Sequence, residues 1–584
     1  MARAYIEDNR IELESEWREK ELCKEVPGCR WDQNKRLWWV PLSWASCVAL
    51  RGVFAERLEI DDSLNQWALN ELETRITPCM ELRHSNERRA VYGSSGITHN
   101  EAYSTQEDLA LEDLQTVAVD FLATAQRALC GDGMGSGKSV EAVCSVEELA
   151  NRFGDENVFP CVIVSTKTML ETWVEEVSRW APHRRVEAVR GPKNKRVKTL
   201  ESGAHYYIVN WEMLAGHSKL APYGNTTSTD KDKERKELDA LAPKTVVADE
   251  AHRAKNPKAK QTRAWWNISW PAFFSFALTG TPVSKTPEDL WSIMHGVCPW
   301  EWPSKTAWVD RYGQKQWNMF GGVDVKGLRG DTQDELFKYL DPRFIRRPTS
   351  AVIPNIAEKL PPRVIKLEMV PRQEKAYKEM KTEMIAQLDD EQWLISTSPL
   401  TKMTRLLQLA SAYLEIDGEN VKMIEPSCKV DGMMDVIEGL DEDPLVVFAQ
   451  HKQLIDIAAA RLDKENIPYG IITGAVTELD RATYVRRFQD GQLPVMLATV
   501  SAGGEGITLT KARHVLFLQR TASLIQNKQA EDRVYRRGQD RPVQPIYFVT
   551  AGTVDERMIQ LGAERDVTFE QIVRDKETLR KMLS

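Results

Sequence analysis

The strongest local signal in the sequence is Gly131-Asp132-Gly133-Met134-Gly135-Ser136-Gly137-Lys138-Ser139. Its alternating glycines let the backbone turn tightly and point N–H groups at a phosphate. The run that follows, residues 140–143, is typical of a helix, whose N-terminal dipole attracts an anion. We expect Lys138 to reach the β- and γ-phosphates of a nucleotide and Ser139 to hold Mg²⁺ through its hydroxyl. Because the strict pattern has glycine where Asp132 stands, a flexible glycine-rich turn is the alternative.

The surrounding sequence predicts an α/β architecture. Near-continuous apolar runs, each followed by a helical segment, suit parallel strands that are covered on both faces. The first set of runs is Cys161–Ser165, Tyr206–Val209, Thr245–Ala248 and Phe274–Leu278. The second set is Pro444–Phe448, Tyr469–Ile472, Val495–Ala498, Val515–Leu518 and Ile546–Val549. Two such sets predict a duplicated parallel-sheet fold.

An acidic pair directly follows one of these predicted strands. Asp249 and Glu250 open the run Asp-Glu-Ala-His after residue 248. A carboxylate at the carboxyl end of a parallel strand is well placed to bind Mg²⁺, and we assign that role to Asp249. Glu250 would then polarise an attacking water. A solvated Asp-Glu pair at a strand end is the alternative.

The third chemical element is an arginine pair within residues 529–539. Arg533 and Arg536 are three residues apart, so on a helix they share one face. Two guanidinium groups on one face can stabilise the charge that develops on a transferring phosphate. The alternative is a surface pair that is bonded to Glu531 or Asp532.

Composition limits the classes of protein that the chain can belong to. The 584 residues are 42% hydrophobic and 28% charged, which excludes a collagenous or largely disordered chain. With 78 basic and 86 acidic residues the net charge is −8, so bulk charge does not favour nucleic acid. The nine cysteines have no C-x-x-C spacing, and we expect free thiols in a reducing compartment. No apolar run is long enough for a bilayer and the start lacks a signal-peptide core, so we expect a cytoplasmic protein without a membrane partner.

Over residues 108–560 the chain resembles the Swi/Snf-type translocases of helicase superfamily two. Asp132–Ser139 is similar to that family's nucleotide loop, and Leu114-Gln115 resembles the upstream motif whose Gln115 reads adenine. Asp249–Asn256 and Leu278–Pro282 are highly specific matches. Further matches are Val162–Val164 with Trp173, Ile208–Glu212, Arg346-Arg347, Leu360–Pro362, Gln373 with Tyr377, Ser427–Lys429, Ser501–Leu509 and Gln529–Gln539. Ser284 and Thr508 depart from the family, in which asparagine is frequent at both places.

The resemblance implies two RecA-like lobes with a helical inter-lobe region, and ATP with Mg²⁺ as cofactors. It adds Gly504 and Glu505 to the nucleotide-binding residues of the loop. The resemblance also implies DNA contacts or coupling, for which the candidate residues are Arg253, Lys255, Thr279, Gly280, Thr281, Thr499 and Gly503. A basic run between residues 184 and 198 is a second candidate DNA surface, or else ordinary solvated surface.

The first 105 residues form a separate compositional unit. Six tryptophans lie in the first 70 residues, and Trp31–Val40 reads as a hairpin with a polar turn. Residues 26–42 resemble the small domain that precedes the motor in annealing helicases, which implies recognition of branched DNA. The alternative is a tryptophan-stabilised α+β domain without a DNA role.

We therefore expect five segments along the chain. They are an accessory domain at 1–105, a first lobe at 106–290, a helical inter-lobe region at 291–425, a second lobe at 426–560 and a helical tail at 561–584. The function that we expect is ATP-dependent translocation on double-stranded DNA, which remodels or reanneals branched DNA. The alternatives are a strand-separating helicase, the motor subunit of a restriction or repair nuclease, and an ATP-gated DNA clamp. A nuclease, or proteins of replication and recombination, would be fitting partners for these roles. The compact chain suggests a bacterial or bacteriophage origin, with a nucleoid or DNA-associated location.

Overall fold

The computed structural model divides the chain between Val352 and Ile353 into two compact units. Its described residues are 2–85, 111–226, 228–283, 286–317, 323–353, 355–383, 385–389, 392–395, 399–417, 420–440, 443–503, 507–521 and 523–556. The predicted tail at 561–584, most of the stretch between residues 85 and 111, Ser284, Gly504 and Glu505 lie outside these described residues.

The first unit contains a small N-terminal sheet and a larger parallel sheet. Its strands are β1 Ala2–Glu7, β2 Arg10–Glu14, β3 Arg30–Asp32, β4 Leu37–Pro41, β5 Leu58–Ile60, β6 Arg127–Cys130, β7 Cys161–Ser165, β8 Val186–Ala188, β9 Tyr206–Asn210, β10 Thr245–Asp249, β11 Phe274–Leu278, β12 Gly313–Trp317, β13 Val323–Leu328 and β14 Phe344–Ile345. Its α-helices are Lys20–Glu25, Trp44–Phe54, Asp62–Glu71, Thr77–His84, Asp113–Ala125, Lys138–Phe153, Asp155–Val158, Leu170–Trp180, Lys193–Leu200, Trp211–His217, Asp230–Lys233, Glu237–Leu241, Lys260–Ser269, Glu288–Val297, Lys305–Tyr312, Gln333–Leu340 and Thr349–Val352. A single π-helical turn, Leu72–Ile76, joins two of the N-terminal helices.

The larger sheet has the strand order β14-β6-β11-β10-β7-β9-β8, and every neighbouring pair is parallel. Residues of alternating parity along each central strand belong to two apolar clusters, one for each face. One cluster holds Val162, Val164 and Val246 against helices such as Lys260–Ser269 and Glu288–Val297. The other holds Ile163 and Val247 against helices such as Asp113–Ala125 and Lys138–Phe153. Burial on both faces explains the near-continuous apolar runs in the sequence.

The N-terminal residues form the predicted hairpin within a five-stranded sheet. β3 pairs antiparallel with β4, with Trp31 opposite Trp38, in a sheet of order β3-β4-β2-β1-β5. This domain packs firmly on the first lobe: Trp44 donates its Nε1–H to the Lys338 carbonyl at 3.0 Å. Cys79 and Leu82 lie in the same apolar cluster as residues of the helix Asp113–Ala125. The small sheet of the accessory domain has an apolar cluster of its own, which includes Ile11 and Val40, and the domain's last helix packs on the first lobe.

The second unit is built on another parallel sheet, of order β15-β24-β23-β20-β22-β21. Its strands are β15 Arg363–Leu367, β16 Ile385–Asp389, β17 Gln392–Ile395, β18 Tyr413–Asp417, β19 Asn420–Ile424, β20 Leu445–Ala449, β21 Tyr469–Ile472, β22 Val495–Thr499, β23 His514–Phe517 and β24 Gln544–Thr550. Its α-helices are Pro371–Glu383, Pro399–Leu409, Cys428–Gly439, Lys452–Lys464, Glu478–Gln489, Val500–Gly503 and Leu524–Glu531. Two RecA-like parallel-sheet lobes are thus present, as the sequence predicted.

The expected inter-lobe region, 291–425, is where the structure differs most from expectation. Strand β14 at 344–345 pairs with β6 and so extends the first lobe's sheet, whereas β15 at 363–367 pairs with β24 in the second. The region contains helices, but also the antiparallel hairpins β12–β13, β16–β17 and β18–β19. The polar sequence of β12, Gly-Gln-Lys-Gln-Trp, hid the first hairpin, since it lacks an apolar run. In the part of the chain that the structure describes, no helix is long and apolar enough to cross a membrane.

Two helical glycines differ in the space around them, and they give a matched test of the packing. A Cβ on Gly296 would lie 2.8 Å from Trp266 Cδ1 and closer still to the Trp265 ring, inside the core. A Cβ on Gly216, on the exposed side of its own helix, would meet no described heavy atom within 4 Å.

We predict that Gly296→Ala destabilises the protein by about 1–3 kcal/mol, because the indole rings must shift to make room. Gly216→Ala should stabilise it by up to about 1 kcal/mol, because alanine favours the helix. Urea unfolding followed by tryptophan fluorescence measures both. Equal midpoints for Gly296→Ala and the parent protein would contradict the packing described here.

Candidate functional site

The predicted chemical groups of the first unit meet at one edge of its parallel sheet. Cys130 at the end of β6 is level with Leu278 at the end of β11, which is level with Asp249 at the end of β10. Because these strands are adjacent and parallel, the segments that follow them emerge side by side. The glycine-rich loop, the acidic pair and the Thr279–Pro282 segment are therefore neighbours.

The glycine-rich loop has the backbone conformation that the sequence predicted. It follows β6 and ends at Gly137, the N-cap of the helix Lys138–Phe153. Gly135 and Gly137 have φ values of +75° and +96°, which glycine adopts at little cost. A Cβ on Gly137 would also collide with the Gln115 amide nitrogen. Both positions therefore favour glycine, as a tight phosphate-binding turn requires.

The loop holds groups suited to a polyphosphate. Lys138 Nζ donates to the carbonyls of Asp132 and Gly133, at 2.9 Å each, so the ammonium lies against the loop. The Ser136 hydroxyl is buried and has no hydrogen-bond partner among the described residues. A bound phosphate would satisfy that hydroxyl and the N–H groups at the helix N-terminus. The residues present therefore fit a nucleotide.

Gln115, the residue predicted to read adenine, is hydrogen-bonded to the backbone on both sides of its amide. Its Nε2 donates to the Ser136 carbonyl at 2.8 Å, and its Oε1 accepts from the Glu112 N–H at 3.0 Å. The side chain is buried, at 4% exposure. Both ends of the amide are thus bonded to backbone, and Gln115 supports the shape of the loop from behind.

Asp132 turns its carboxylate away from the open side of the loop, toward Arg347. The Arg347 backbone N–H donates to Asp132 Oδ1 at 2.8 Å, and the guanidinium binds both carboxylate oxygens. Glu141 lies beside this pair, 3.4 Å from Arg347 Nη2, and burial together with the Asp132 charge raises the pKa of Glu141 to about 8. The sequence identified Arg347 as part of a motif, but its partner lies 215 positions away and no local pattern indicates it.

Asp249 is held by hydrogen bonds from three directions. Its Oδ2 accepts from Ser165 Oγ and from Trp173 Nε1, both at 2.9 Å, and its Oδ1 accepts from the Glu250 N–H at 2.9 Å. Burial and the neighbouring Glu250 raise the pKa of Asp249, whereas the bonds from Trp173 and Ser165 lower it. Lys138 also lowers it, so the two groups interact. A partly buried carboxylate of raised pKa next to a lysine suits a divalent cation, which favours the ionised form.

A chain of contacts links the acidic pair to the next strand end. Glu250, at φ +49°, lies 3.2 Å from His252 Nδ1, which in turn lies 3.2 Å from Thr279 Oγ1. The Thr281 N–H donates to the same Thr279 hydroxyl at 3.2 Å. Gly280 packs on the glycine-rich loop, where a Cβ would be 3.0 Å from Met134 Cγ. Thr279, Gly280 and Thr281 are buried and thus connect the two nucleotide-site elements.

The other candidate DNA residues of the first unit are more exposed. Arg253 donates to Glu212 Oε1 at 2.7 Å on a partly exposed surface, and Lys255 lies close by in the chain. In the basic run 184–198 several arginines bind acids: Arg184 with Asp155, Arg190 with Glu171 and Arg196 with Glu237. The exposed basic residues of the run outside these three pairs are Arg185, Lys193, Lys195 and Lys198.

In the second unit the arginine pair is brought together by a turn. The predicted helix is wrong here, because the helix ends at Glu531 and residues 532–538 form turns. Arg536 Nη1 and Arg533 Nη1 nevertheless donate to one acceptor, the Ile507 carbonyl, at 3.1 Å and 3.5 Å. Burial and the Arg533 charge lower the pKa of Arg536 to about 10, so it stays protonated at neutral pH.

The Ile507 carbonyl directly follows the segment 504–506, which contains the predicted nucleotide residues Gly504 and Glu505 and lies outside the described residues. Thr499 ends β22, and Gly503 is buried against Phe448, where a Cβ would be 2.6 Å from a ring carbon. These two candidate DNA residues lie at the carboxyl edge of the second sheet.

Comparison with known proteins agrees with this geometry. Residues 100–412 match the SNF2-related domain, and residues 428–538 match the helicase conserved C-terminal domain. The first match alone covers more than half of the chain. The chain belongs to the SNF2 family.

Its curated relatives in the SNF2 family are distant and longer. An uncharacterized ATP-dependent helicase of Mycoplasma pneumoniae is 25% identical over 466 residues, covering 77% of this chain and 42% of the relative. The human DNA annealing helicase and endonuclease ZRANB3 is 26% identical over 444 residues, covering 74% of this chain and 37% of the relative. The chain spans less than half the length of these relatives. Among solved structures, the Sulfolobus solfataricus SWI2/SNF2 ATPase core in complex with dsDNA is 21% identical and covers 82% of this chain and 95% of its own, with a TM-score of 0.36.

The hydrogen bonds on Asp249 give a prediction for this SNF2 site. Trp173→Phe keeps the buried ring but removes the Nε1–H, so we expect the pKa of Asp249 to rise further and its affinity for Mg²⁺ to fall. The Mg²⁺ concentration for half-maximal ATP turnover should increase several-fold. Trp180→Phe, on the same helix but outside this hydrogen-bond set, is the control and should leave it unchanged. An unchanged Mg²⁺ requirement in Trp173→Phe would show that this bond does not tune Asp249.

Proposed function

We propose that the protein is an ATP-dependent translocase on double-stranded DNA that remodels or reanneals branched DNA. The observation that carries the proposal is the contact chain from Glu250 through His252 to Thr279, beside the glycine-rich loop. It joins the group assigned to water activation with the segment that, by family resemblance, couples nucleotide to DNA. A nucleotide-dependent change at Glu250 would reach Thr279 through two side-chain contacts.

Each part of the first unit takes one task in ATP hydrolysis. Lys138 binds the β- and γ-phosphates, with the backbone N–H groups of residues 133–138 around them. Ser139 and Asp249 hold Mg²⁺, which neutralises charge on the phosphate oxygens when it is bound. Glu250 orients and polarises the attacking water. Gln115 and Arg347 keep the loop in its binding conformation.

The second unit supplies positive charge to the transition state. Arg533 and Arg536 are fixed by one carbonyl, so their guanidinium groups are preorganised and cost little reorganisation when charge develops on the γ-phosphate. We propose, from the family resemblance, that both units take part in one cycle of ATP hydrolysis.

DNA contact is proposed to rest on phosphate groups, because a translocase must tolerate any sequence. Arg253 and Lys255 follow the acidic pair directly, and Thr499 and Gly503 lie at the corresponding edge of the second sheet. ZRANB3 is named as an annealing helicase, and one Sulfolobus solfataricus SWI2/SNF2 core is described with dsDNA, which supports duplex or branched DNA as the substrate. The N-terminal domain presents Trp31 at 47% exposure, and we propose that this face recognises branch points.

The glutamate of the acidic pair gives the sharpest chemical test. Glu250→Gln keeps the shape and a hydrogen-bonding side chain but removes the carboxylate, so we expect ATP turnover to fall at least 100-fold while nucleotide affinity stays within about two-fold. Glu171→Gln, which removes an exposed carboxylate, is the matched control. Turnover in Glu250→Gln within ten-fold of the parent would contradict its assigned role.

The class of motor is tested by comparing DNA substrates. ATP turnover is measured with duplex, single-stranded and forked DNA, next to triplex displacement and strand-separation assays. We expect duplex and forked DNA to stimulate turnover and a triplex strand to be displaced without unwinding of a plain duplex. Unwinding of a plain duplex would indicate a strand-separating helicase. DNA-stimulated turnover without displacement of the triplex strand would indicate a clamp. ATP turnover that DNA does not stimulate would reject the proposal.

The proposed role of the N-terminal domain is tested by Trp31→Ala, which should lower the preference for forked over plain duplex DNA. The control is Trp17→Ala, which changes another exposed tryptophan of the domain.

A further inference from the structure

One short segment of the chain is bonded to both of the elements proposed to act on the γ-phosphate. Residues 344–352 bind the glycine-rich loop in the first unit, and residues 357–360 bind the arginine turn in the second. The boundary between the units falls inside this segment, after Val352. Each end can be examined within its own unit.

The first end of the segment, residues 344–352, is hydrogen-bonded to the two loop residues whose carbonyls accept from Lys138. The Arg347 side chain and N–H bind the Asp132 carboxylate, and the Arg347 carbonyl accepts from the Gly133 N–H at 3.0 Å. The carbonyls of Asp132 and Gly133 are the acceptors for Lys138 Nζ. Thr349 Oγ1 adds a bond to the Met134 carbonyl at 3.0 Å. Arg347 therefore fixes the backbone to which the phosphate-binding lysine is tied.

The burial of this contact gives it a large effect on the position of the loop. Asp132 is completely buried and Arg347 is 7% exposed. Removing one partner of a buried pair leaves an uncompensated charge, so the other partner moves or takes up water. In this loop the carboxylate that would move belongs to a residue whose own carbonyl holds Lys138. Arg347 also donates to the Leu114 carbonyl, next to the loop-supporting Gln115.

The second end of the segment, residues 357–360, binds the two acidic residues that come immediately before the arginine pair. Lys359 Nζ lies 3.0 Å from both the Glu531 and the Asp532 carboxylates. The backbone fixes the same place: Leu360 N–H donates to the Val543 carbonyl and Val543 N–H to the Glu358 carbonyl, both at 2.8 Å. Glu531 is in turn bound by the Tyr547 hydroxyl at 2.6 Å. The start of the turn that carries Arg533 and Arg536 is thus anchored to the incoming segment.

We propose that Arg347 and Lys359 are positioning residues. Arg347 positions the phosphate-binding loop, Lys359 positions the arginine turn, and both residues belong to the segment 344–360. This proposal rests on the ATPase function proposed above. Neither residue needs to touch the nucleotide.

The first test concerns Arg347 and uses a fluorescent ADP analogue, mant-ADP, as the probe, without DNA. We expect Arg347→Ala to weaken mant-ADP binding about ten-fold, and Arg347→Lys, which keeps a cation beside Asp132, to restore most of that affinity. Arg329→Ala is the matched control, because it removes an exposed Arg–Asp pair in the same unit. If Arg347→Ala does not fold, Arg347→Lys carries the test through a smaller, two- to three-fold loss. Parent-like mant-ADP affinity in folded Arg347→Ala overturns the role, and so does parent-like affinity in Arg347→Lys where that is the variant that folds.

The second test concerns Lys359 and uses a double-mutant cycle. Lys359→Ala should lower kcat for ATP about ten-fold with KM and mant-ADP affinity unchanged, and Lys366→Ala, an exposed pair with Glu556, is its control. Adding Lys359→Ala to Arg536→Ala should cause no further loss, because Lys359 acts through the arginine turn. If the two substitutions lower kcat multiplicatively in the double variant, the role of Lys359 is overturned. Turnover is measured with and without duplex DNA, so a parent protein that DNA does not stimulate would reject the translocase function while basal turnover and mant-ADP binding still decide the positioning roles.

Discussion

Parallel pairing of β6, β11 and β10 in register is the constraint on which the rest of the site depends. Cys130, Leu278 and Asp249 end at one level, so three segments far apart in sequence start from a common edge. Each segment can then be short. The loop needs a few glycines, the acidic pair needs one residue in left-handed conformation, and the third segment needs a hydroxyl that His252 can reach. A shift of one residue in this register would move Asp249 away from Trp173 and Ser165 and would turn alternate side chains to the opposite face.

The central strands could be predicted from the sequence because they are apolar on both faces. Cys161–Ser165, Phe274–Leu278 and Tyr469–Ile472 match the predicted bounds, and the other strands of the two sets differ by one or two residues at one or both ends. The edge strands β8 and β14 have three and two residues, too few for a hydrophobic pattern to show. The turn at Arg533 has the composition of a helix, but the chain leaves the helix after Glu531, where that residue is held by Tyr547 and Lys359. Tertiary contacts, which have no local signal, decide that boundary.

The residues of the candidate site divide in the same way, into those that a local sequence pattern identifies and those that only a tertiary contact identifies. Residues whose role depends on spacing within a motif, such as Lys138 with Gly137 or Asp249 with Glu250, could be identified in the sequence and lie where their motifs predict. Residues whose role depends on a distant partner could not. No local pattern indicates that the Gln115 amide is bonded to the glycine-rich loop, or that the Asp132 carboxylate is bonded to Arg347. In both cases burial determines the partner, and one sequence without its fold carries no information on burial of a polar group.

The last helix of the N-terminal domain packs into an apolar cluster of the first lobe, with Cys79 and Leu82 on one side and Val117 and Phe121 on the other. Ion pairs of Arg75 with Glu301 and Arg83 with Asp341 border the same junction. The connection between the two pieces is therefore made by side chains as well as by the peptide chain. If a protease cut the backbone between residues 85 and 111, the two fragments would stay associated and copurify, held by the same interior that holds the intact protein.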